Sequence, residues 1–323
     1  MRGALKRKTV KIDKNMRLRL KKYPFYLFLL FLLFFLFSRI GIHTTPNNNM
    51  KDCLKYFIVF IIFQLLFGGI CGIIAKNLGF TDESEVTTMR ILLASVTSSI
   101  ATIAMFAWRR WWKVSLKYIK SCPYEAIILT IVLAFATLIP SAWLSELLPE
   151  EMTKDLMQEV FEKILSRPEG FIFIALLAPT VEEIVFRGAI LRRLLEWSEE
   201  KTMGNERVKT KGAWLAIVIS AMLFSAIHGN PAQMPHAFLI GLLLGWLFYR
   251  TGSIVLCVIL HFINNSTAFL VSYLLPEIPY DAKSIVLFNN NYTAYYTVLA
   301  VSIVVAVLCI WRLGKCLPHH QTD

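Results

Sequence analysis

No long polar stretch interrupts this chain. Charged residues make up only 17% of its 323 positions, against roughly 25% in soluble domains. Ten of the basic ones are crowded into residues 1–22. A separate soluble domain therefore has nowhere to sit. The six cysteines (Cys53, Cys71, Cys122, Cys257, Cys309 and Cys316) show neither CxxC nor metal-type spacing, which removes a disulfide framework and a cluster site. HExxH is missing, so the helix of the soluble zincins is excluded. GxSxG is missing too, and no Ser–His pair stands out as a nucleophile system. An inverted repeat with paired broken helices, the mark of many transporters, is not apparent.

What is present is apolar sequence in blocks. Hydrophobic residues reach 56%, above the roughly 45–50% of ordinary domains, and they gather in runs long enough to cross a bilayer. The runs are Tyr23–Ile42, Tyr56–Ile74, Ile91–Trp108, Ala126–Leu148, Phe171–Leu195, Trp214–His228, Phe238–Tyr249, Ile254–Leu275 and Tyr295–Trp311. The fold class is an all-α polytopic membrane protein with about eight core transmembrane helices. Residues 50–316 form one helical membrane domain.

Loop charges set the expected orientation. Segments 109–123, 192–212 and 250–253 and the C-terminus are basic, and the positive-inside rule places them in the cytoplasm. Residues 146–169 are acidic and read as an interfacial helix. The tail 1–22 carries ten Lys or Arg against Asp13. Next to a membrane span such a run sets topology or touches anionic lipid rather than nucleic acid. If Tyr23–Ile42 also crossed, this tail would lie outside, against the rule. Residues 1–49 are therefore read as an untranslated extension, with translation beginning at Met50, or as an anchor that does not cross. Both core termini then face the cytoplasm, and a bacterial plasma membrane is the expected location.

One block carries charges where a membrane helix should not. Between Phe171 and Leu195 stand Glu182, Glu183 and Arg187. Each charge at mid-span costs about 2.5–3.5 kcal/mol on insertion scales, so such groups are kept where they face a protein interior or a wet cavity. Glu183 and Arg187 are four apart and can pair on one helix face. Glu182 is rotated by roughly a third of a turn and is free to face the cavity. The competing reading is a structural charge cluster, which the second carboxylate weakens.

Three later places join this helix. Phe224 and His228 are four apart, as are His261 and Asn265. Gly241 and Gly245 sit between, in a spacing that marks close helix packing. His236, beside Pro235 at a helix start, is set aside as outside the site. Asn264 and Asn265 could also serve only to join helices. Together, one carboxylate, two histidines and an amide from three helices supply the parts for attack of water on a peptide bond. The carboxylate can act as base, a histidine can share the water or protonate the leaving amine, and a histidine with Asn can hold the developing oxyanion. Glu182, His228 and His261 could instead hold zinc, since Glu with two His is a common set. The block edges leave these groups at different depths, so the Trp214 helix must extend past His228 or tilt for them to converge.

In this order along the spans, Glu182-Glu183-x-x-x-Arg187, Phe224-x-x-x-His228 and His261-x-x-x-Asn265 resemble the CAAX-prenyl-protease and bacteriocin-processing family of intramembrane endopeptidases, the Abi proteins among them. The run Tyr249-Arg-Thr-Gly-Ser-Ile254 is similar as well, and the likeness covers roughly residues 90–275. It implies an eight-helix fold enclosing an intramembrane active-site cavity, with the catalytic core at about 170–275. It also implies that Glu182 activates water with help from His228, that His261 and Asn265 stabilise the oxyanion, and that Glu183, Arg187 and Phe224 support them. No cofactor is expected, zinc being the alternative. The expected partners are a peptide or protein substrate at the bilayer and the lipid itself. A non-catalytic binding or immunity protein using the same cavity, and a small transporter, are the competing functions.

Overall fold

The computed structural model describes residues 49–77, 82–112, 123–149, 158–202, 206–279 and 282–317. The basic tail and the Tyr23–Ile42 block lie outside these residues. In chain order the helices are α1 (Asn49–Asn77), α2 (Glu83–Trp108), α3 (Tyr124–Glu146), α4 (Gln158–Leu165), a composite rod α5 from Pro168 to Thr202, α6 (Glu206–Ala226), α7 (Met234–Thr251), α8 (Val255–Leu274) and α9 (Tyr292–Cys316), with a 3₁₀ turn at Ser284–Phe288 before α9. No strand occurs among the described residues. The protein is an all-α, multi-pass integral membrane protein.

Five described helices are long and apolar enough to cross a membrane: Asn49–Asn77, Glu85–Trp108, Tyr124–Glu146, Val255–Leu274 and Tyr292–Cys316. The other three expected core spans are also helical, as α5, α6 and α7. Two of them carry much of the site's polar chemistry. Their charged and polar residues dilute their hydropathy, and packing among neighbours compensates. The acidic stretch expected as an interfacial helix contributes α4, which is short and amphipathic.

Burial is inverted relative to a soluble protein. Leu65 on α1 is 72% exposed, and Ile128, Phe135, Val301 and Val304 are exposed on α3 and α9, whereas Glu183 and Arg187 are 0% exposed. Apolar surface of this extent is at rest against lipid, not water. Helix α1 packs on α2, α6 on α7, and α9 on α3, while α8 lies against α3, α7 and α5. Hydroxyls within the spans bond back to their own helix, as Thr130, Thr137, Ser141 and Thr267 do, which satisfies them without water.

The two glycines of α7 mark a contact within the chain. A Cβ on Gly245 would meet Ile217 Cγ2 at 2.9 Å, and one on Gly241 would meet Ala221 Cβ at 3.1 Å. The face they open is taken by α6. At the far end of α7, Gly252 has φ of +63° and ends the helix, a left-handed position that favours glycine. Arg250 caps the chain's last helix there, donating to the carbonyls of Gly314 and Leu317 at 2.7 Å each.

Gly245→Leu should overpack the α6–α7 seam and destabilise the fold by about 1–3 kcal/mol. Gly69→Ala, with nothing within 4 Å, should be neutral or stabilising by roughly 0.5–1 kcal/mol. Thermal unfolding of both variants in detergent checks the contrast.

Candidate active site

Helix α5 is not regular, and its irregularity sets the site. It runs as α-helix at Pro168–Phe171, widens to π-helix at Ile172–Leu177, tightens at Ala178–Glu183, widens again at Ile184–Leu191, and finishes as α-helix at Arg192–Thr202. Pro179 has no N–H for the carbonyl one turn back, and the turn before it is the first widened one; Ala178 N bonds to Phe173 O. Such π segments inside α-helices recur at functional sites. Here they flank the short stretch that ends in Glu182 and Glu183.

Widening alters the carbonyls' ordinary partnership, and side chains of α6, α8 and α5 itself bond to several of them. Asn265 Nδ2 donates to Ile174 O at 2.9 Å, Ser220 Oγ to Phe186 O at 3.2 Å, and Arg192 Nε to Gly188 O at 3.1 Å. Gly188 is tight against Trp112, whose Cδ1 would stand 2.5 Å from an added Cβ. The rod is thereby pinned by α6, α8 and the end of α2.

The charges sit as the helical spacing predicts. Glu183 Oε1 accepts from Arg187 Nη1 at 3.0 Å. The same oxygen faces His261 Nδ1 at 2.9 Å, so Nδ1 carries a proton and Nε2 points away from Glu183. That nitrogen stands 3.8 Å from Glu182 Oε2. Glu182 is half-buried while Glu183 is closed off, which separates the two neighbouring carboxylates by environment. Arg187 also donates to Gly241 O at 3.1 Å, using the narrow α7 backbone that the glycine leaves approachable.

Phe224 is the hub between the parts. Its ring lies edge-on to Phe186 at 5.4 Å, His228 at 5.1 Å and His261 at 5.6 Å. The guanidinium of Arg187 stands over it at 4.4 Å, a cation–π contact in a dry setting. The carbonyl of Phe224 accepts from His228 Nδ1 at 2.9 Å, so His228 also presents Nε2 as an acceptor. The expectation that α6 extends past His228 is corrected. The helix ends at Ala226, and the chain turns through Gly229 at φ of +63°. His228 reaches Phe224 because the turn tightens, its N bonding to Ser225 O.

His261 and Asn265 both face α5 but at different heights. His261 meets the carboxylates and Asn265 reaches Ile174, nearer the start of the rod. His236, set aside on sequence grounds, has a partner: its Nε2 stands 3.1 Å from Asn264 Oδ1. The signal that could have found it is a histidine opening an apolar helix, a costly place without a partner. The zinc alternative is not assembled: no group of three or more His, Cys, Asp or Glu among the described residues is placed to hold a metal ion.

Arg187→Met should destabilise the protein by about 3–5 kcal/mol, because it leaves a carboxylate buried without its cation. Adding Glu183→Gln to that variant should restore much of the loss. Thermal unfolding of the single and double variants measures both.

Neither a curated protein nor a solved structure matches the chain. Residues 167–267 match the family model of the Rce1-like type II CAAX prenyl endopeptidases, and the matched stretch holds Glu182, Glu183, Arg187, Phe224, His228, His261 and Asn265. Over this stretch the chain is similar to the Rce1-like type II CAAX prenyl endopeptidases, which supports the resemblance of its three motifs to the CAAX-prenyl-protease and bacteriocin-processing family.

Proposed function

We propose that the protein is an intramembrane endopeptidase that cuts a peptide presented from the bilayer. The observation that carries this is the approach of the half-buried Glu182 carboxylate to His261 Nε2, beside a second carboxylate already neutralised by Arg187. One carboxylate is left for proton transfer, which is the separation of roles that acid–base chemistry needs.

In this reading Glu182 takes a proton from water as the oxygen adds to the peptide carbonyl carbon. His228, its Nδ1 bonded to Phe224 O, offers Nε2 to the same water. The carbonyl oxygen becomes an oxyanion, which His261 and Asn265 stabilise; His261 enters this step with a proton on each ring nitrogen, Nδ1 donating to Glu183 and Nε2 to the oxyanion. Collapse breaks the C–N bond, and the amine leaves with the proton held by Glu182. The products are a carboxylate and an amine. Glu183, Arg187 and Phe224 hold the imidazole and the helix seam, and no step passes through a metal.

An apolar groove of about 520 Å³ runs along α8, lined by Phe135, Phe262, Ser266, Leu270 and Leu274 among others. It supports a substrate whose recognised part is apolar, as a CAAX-type lipidated peptide or a hydrophobic leader would be. The charged and polar groups of the site lie one helix face away.

The test is cleavage of a pool of quenched-fluorescent peptides, lipidated and leader-type, by the purified protein in nanodiscs. Glu182→Ala and His228→Ala should each lower kcat/KM by about 10²–10⁴-fold, the range lost with a general acid–base group, and a chelator should leave wild-type cleavage intact. If nothing is cut, and both variants still support the cellular phenotype, the site binds a partner instead of hydrolysing one.

A further inference from the structure

Phe186 takes no part in the chemistry above, yet α6 holds it twice. It follows Glu183 by three positions, inside the second widened segment of α5, and is fully buried. Ser220 Oγ donates to its carbonyl at 3.2 Å. The Phe224 ring meets its ring edge-on at 5.4 Å. Phe57 and Phe60 of α1 brace the same ring edge-on at 6.4 and 5.9 Å. Two residues of α6, four apart, therefore grip one residue of α5, by its backbone and by its side chain.

The Ser220 bond differs from those of many hydroxyls in these spans. Thr130, Thr137, Ser141 and Thr267 bond back to their own helices, the local habit of Ser and Thr in a helix. Ser220 reaches across to α5 and is 1% exposed, so solvent does not compete for the bond. The carbonyl it serves lies where the backbone ladder is altered, and leaving it unpaired in a dry place is costly. Ser220, Phe224 and His228 recur at intervals of four, which sets them along one stripe, with about 6 Å of rise between Ser220 and Phe224. His228 lies just past the helix end and hangs from that stripe, its Nδ1 on Phe224 O at 2.9 Å and its ring against the Phe224 ring at 5.1 Å. Its height relative to the carboxylates is inherited from α6. Gly241 and Gly245 of α7 close on Ala221 and Ile217 beside Ser220. Apolar contact of that kind has no direction, whereas a hydroxyl–carbonyl bond fixes one height.

We infer that Ser220 is a positioning residue of the site. Its hydroxyl on Phe186 O sets the height of α6 against α5, and through Phe224 it sets the height of His228 Nε2 against Glu182. This rests on the endopeptidase reading above. Ser220 touches neither substrate nor water. It acts by holding the imidazole where the water shared with Glu182 stands, and a displacement of about 1 Å at a reacting group costs up to about 10²-fold in rate.

The experiment uses the full chain in nanodiscs and the peptide cleaved fastest from the fluorescent pool. Single-turnover rates are read with enzyme in excess and saturating, so that a smaller folded fraction does not lower them. Ser220→Ala should slow the step about 10–10²-fold, with KM changed by less than about threefold. Ser220→Thr, which keeps the hydroxyl, should recover most of the rate. In a His228→Ala background, Ser220→Ala should cost less than about twofold more, because the group it positions is gone. If Ser220→Ala does not fold, Ser220→Cys, which fills the same space with a weaker donor, carries the test and should be slowed as well. An unchanged rate, a change confined to KM, a threonine variant as slow as the alanine one, or a full additional loss in the His228→Ala background overturns the inference. When the wild type cleaves, Glu182→Gln does not, and Ser220→Ala matches the wild type, only this inference fails. A wild type that cuts no peptide removes the endopeptidase reading and this role with it.

Discussion

One carboxylate oxygen, Glu183 Oε1, holds the centre of the protein together. It meets Arg187 Nη1 from its own helix and His261 Nδ1 from α8. In hydrocarbon surroundings none of these groups could stand alone. The arginine sits one helical turn along, so half the pairing is local and forms with the helix. The histidine arrives only when α8 docks. The contact thus ties the rotation of α8 to the rotation of α5, and it fixes the ring orientation that turns His261 Nε2 toward Glu182.

The backbone of α5 shows what that arrangement requires. A regular helix would bury its own carbonyls in its own ladder and leave α6 and α8 only side chains to grip. The widened turns on either side of the Glu pair alter that ladder, and Asn265 and Ser220 bond to carbonyls within them. Irregular backbone inside a membrane is tolerated when protein neighbours re-satisfy it. The same bonds hold the carboxylates in place, so the distortion and the site share one structural origin.

Around this centre the packing is layered by chemistry. Long apolar helices, α1 and α9 among them, show apolar residues outward. Inside them, the Phe224 ring touches Arg187 and both histidines. An aromatic ring suits that place because its face attracts the guanidinium and its edge excludes water. Gly241 and Gly245 let α6 and α7 close on each other, and that closeness also brings the Gly241 carbonyl within reach of Arg187.

What the sequence by itself determined is local or compositional. Block lengths and hydropathy fixed an all-α membrane fold, because the span of a bilayer sets the length of a run. Spacing of four placed Glu183 on Arg187, and neighbouring positions gave the two glutamates different surroundings, because the α-helical period is insensitive to tertiary context. The tertiary structure alone decided which helix faces which. It ended α6 before His228, set Asn265 on Ile174 rather than beside the carboxylates, and brought His236, discounted from its position, onto Asn264. These outcomes depend on the relative rotation and depth of packed helices. A turn's rotation exchanges one neighbour for another, and only the fit of side chains across each seam, at residues as far apart as Gly245 and Ile217, selects among them.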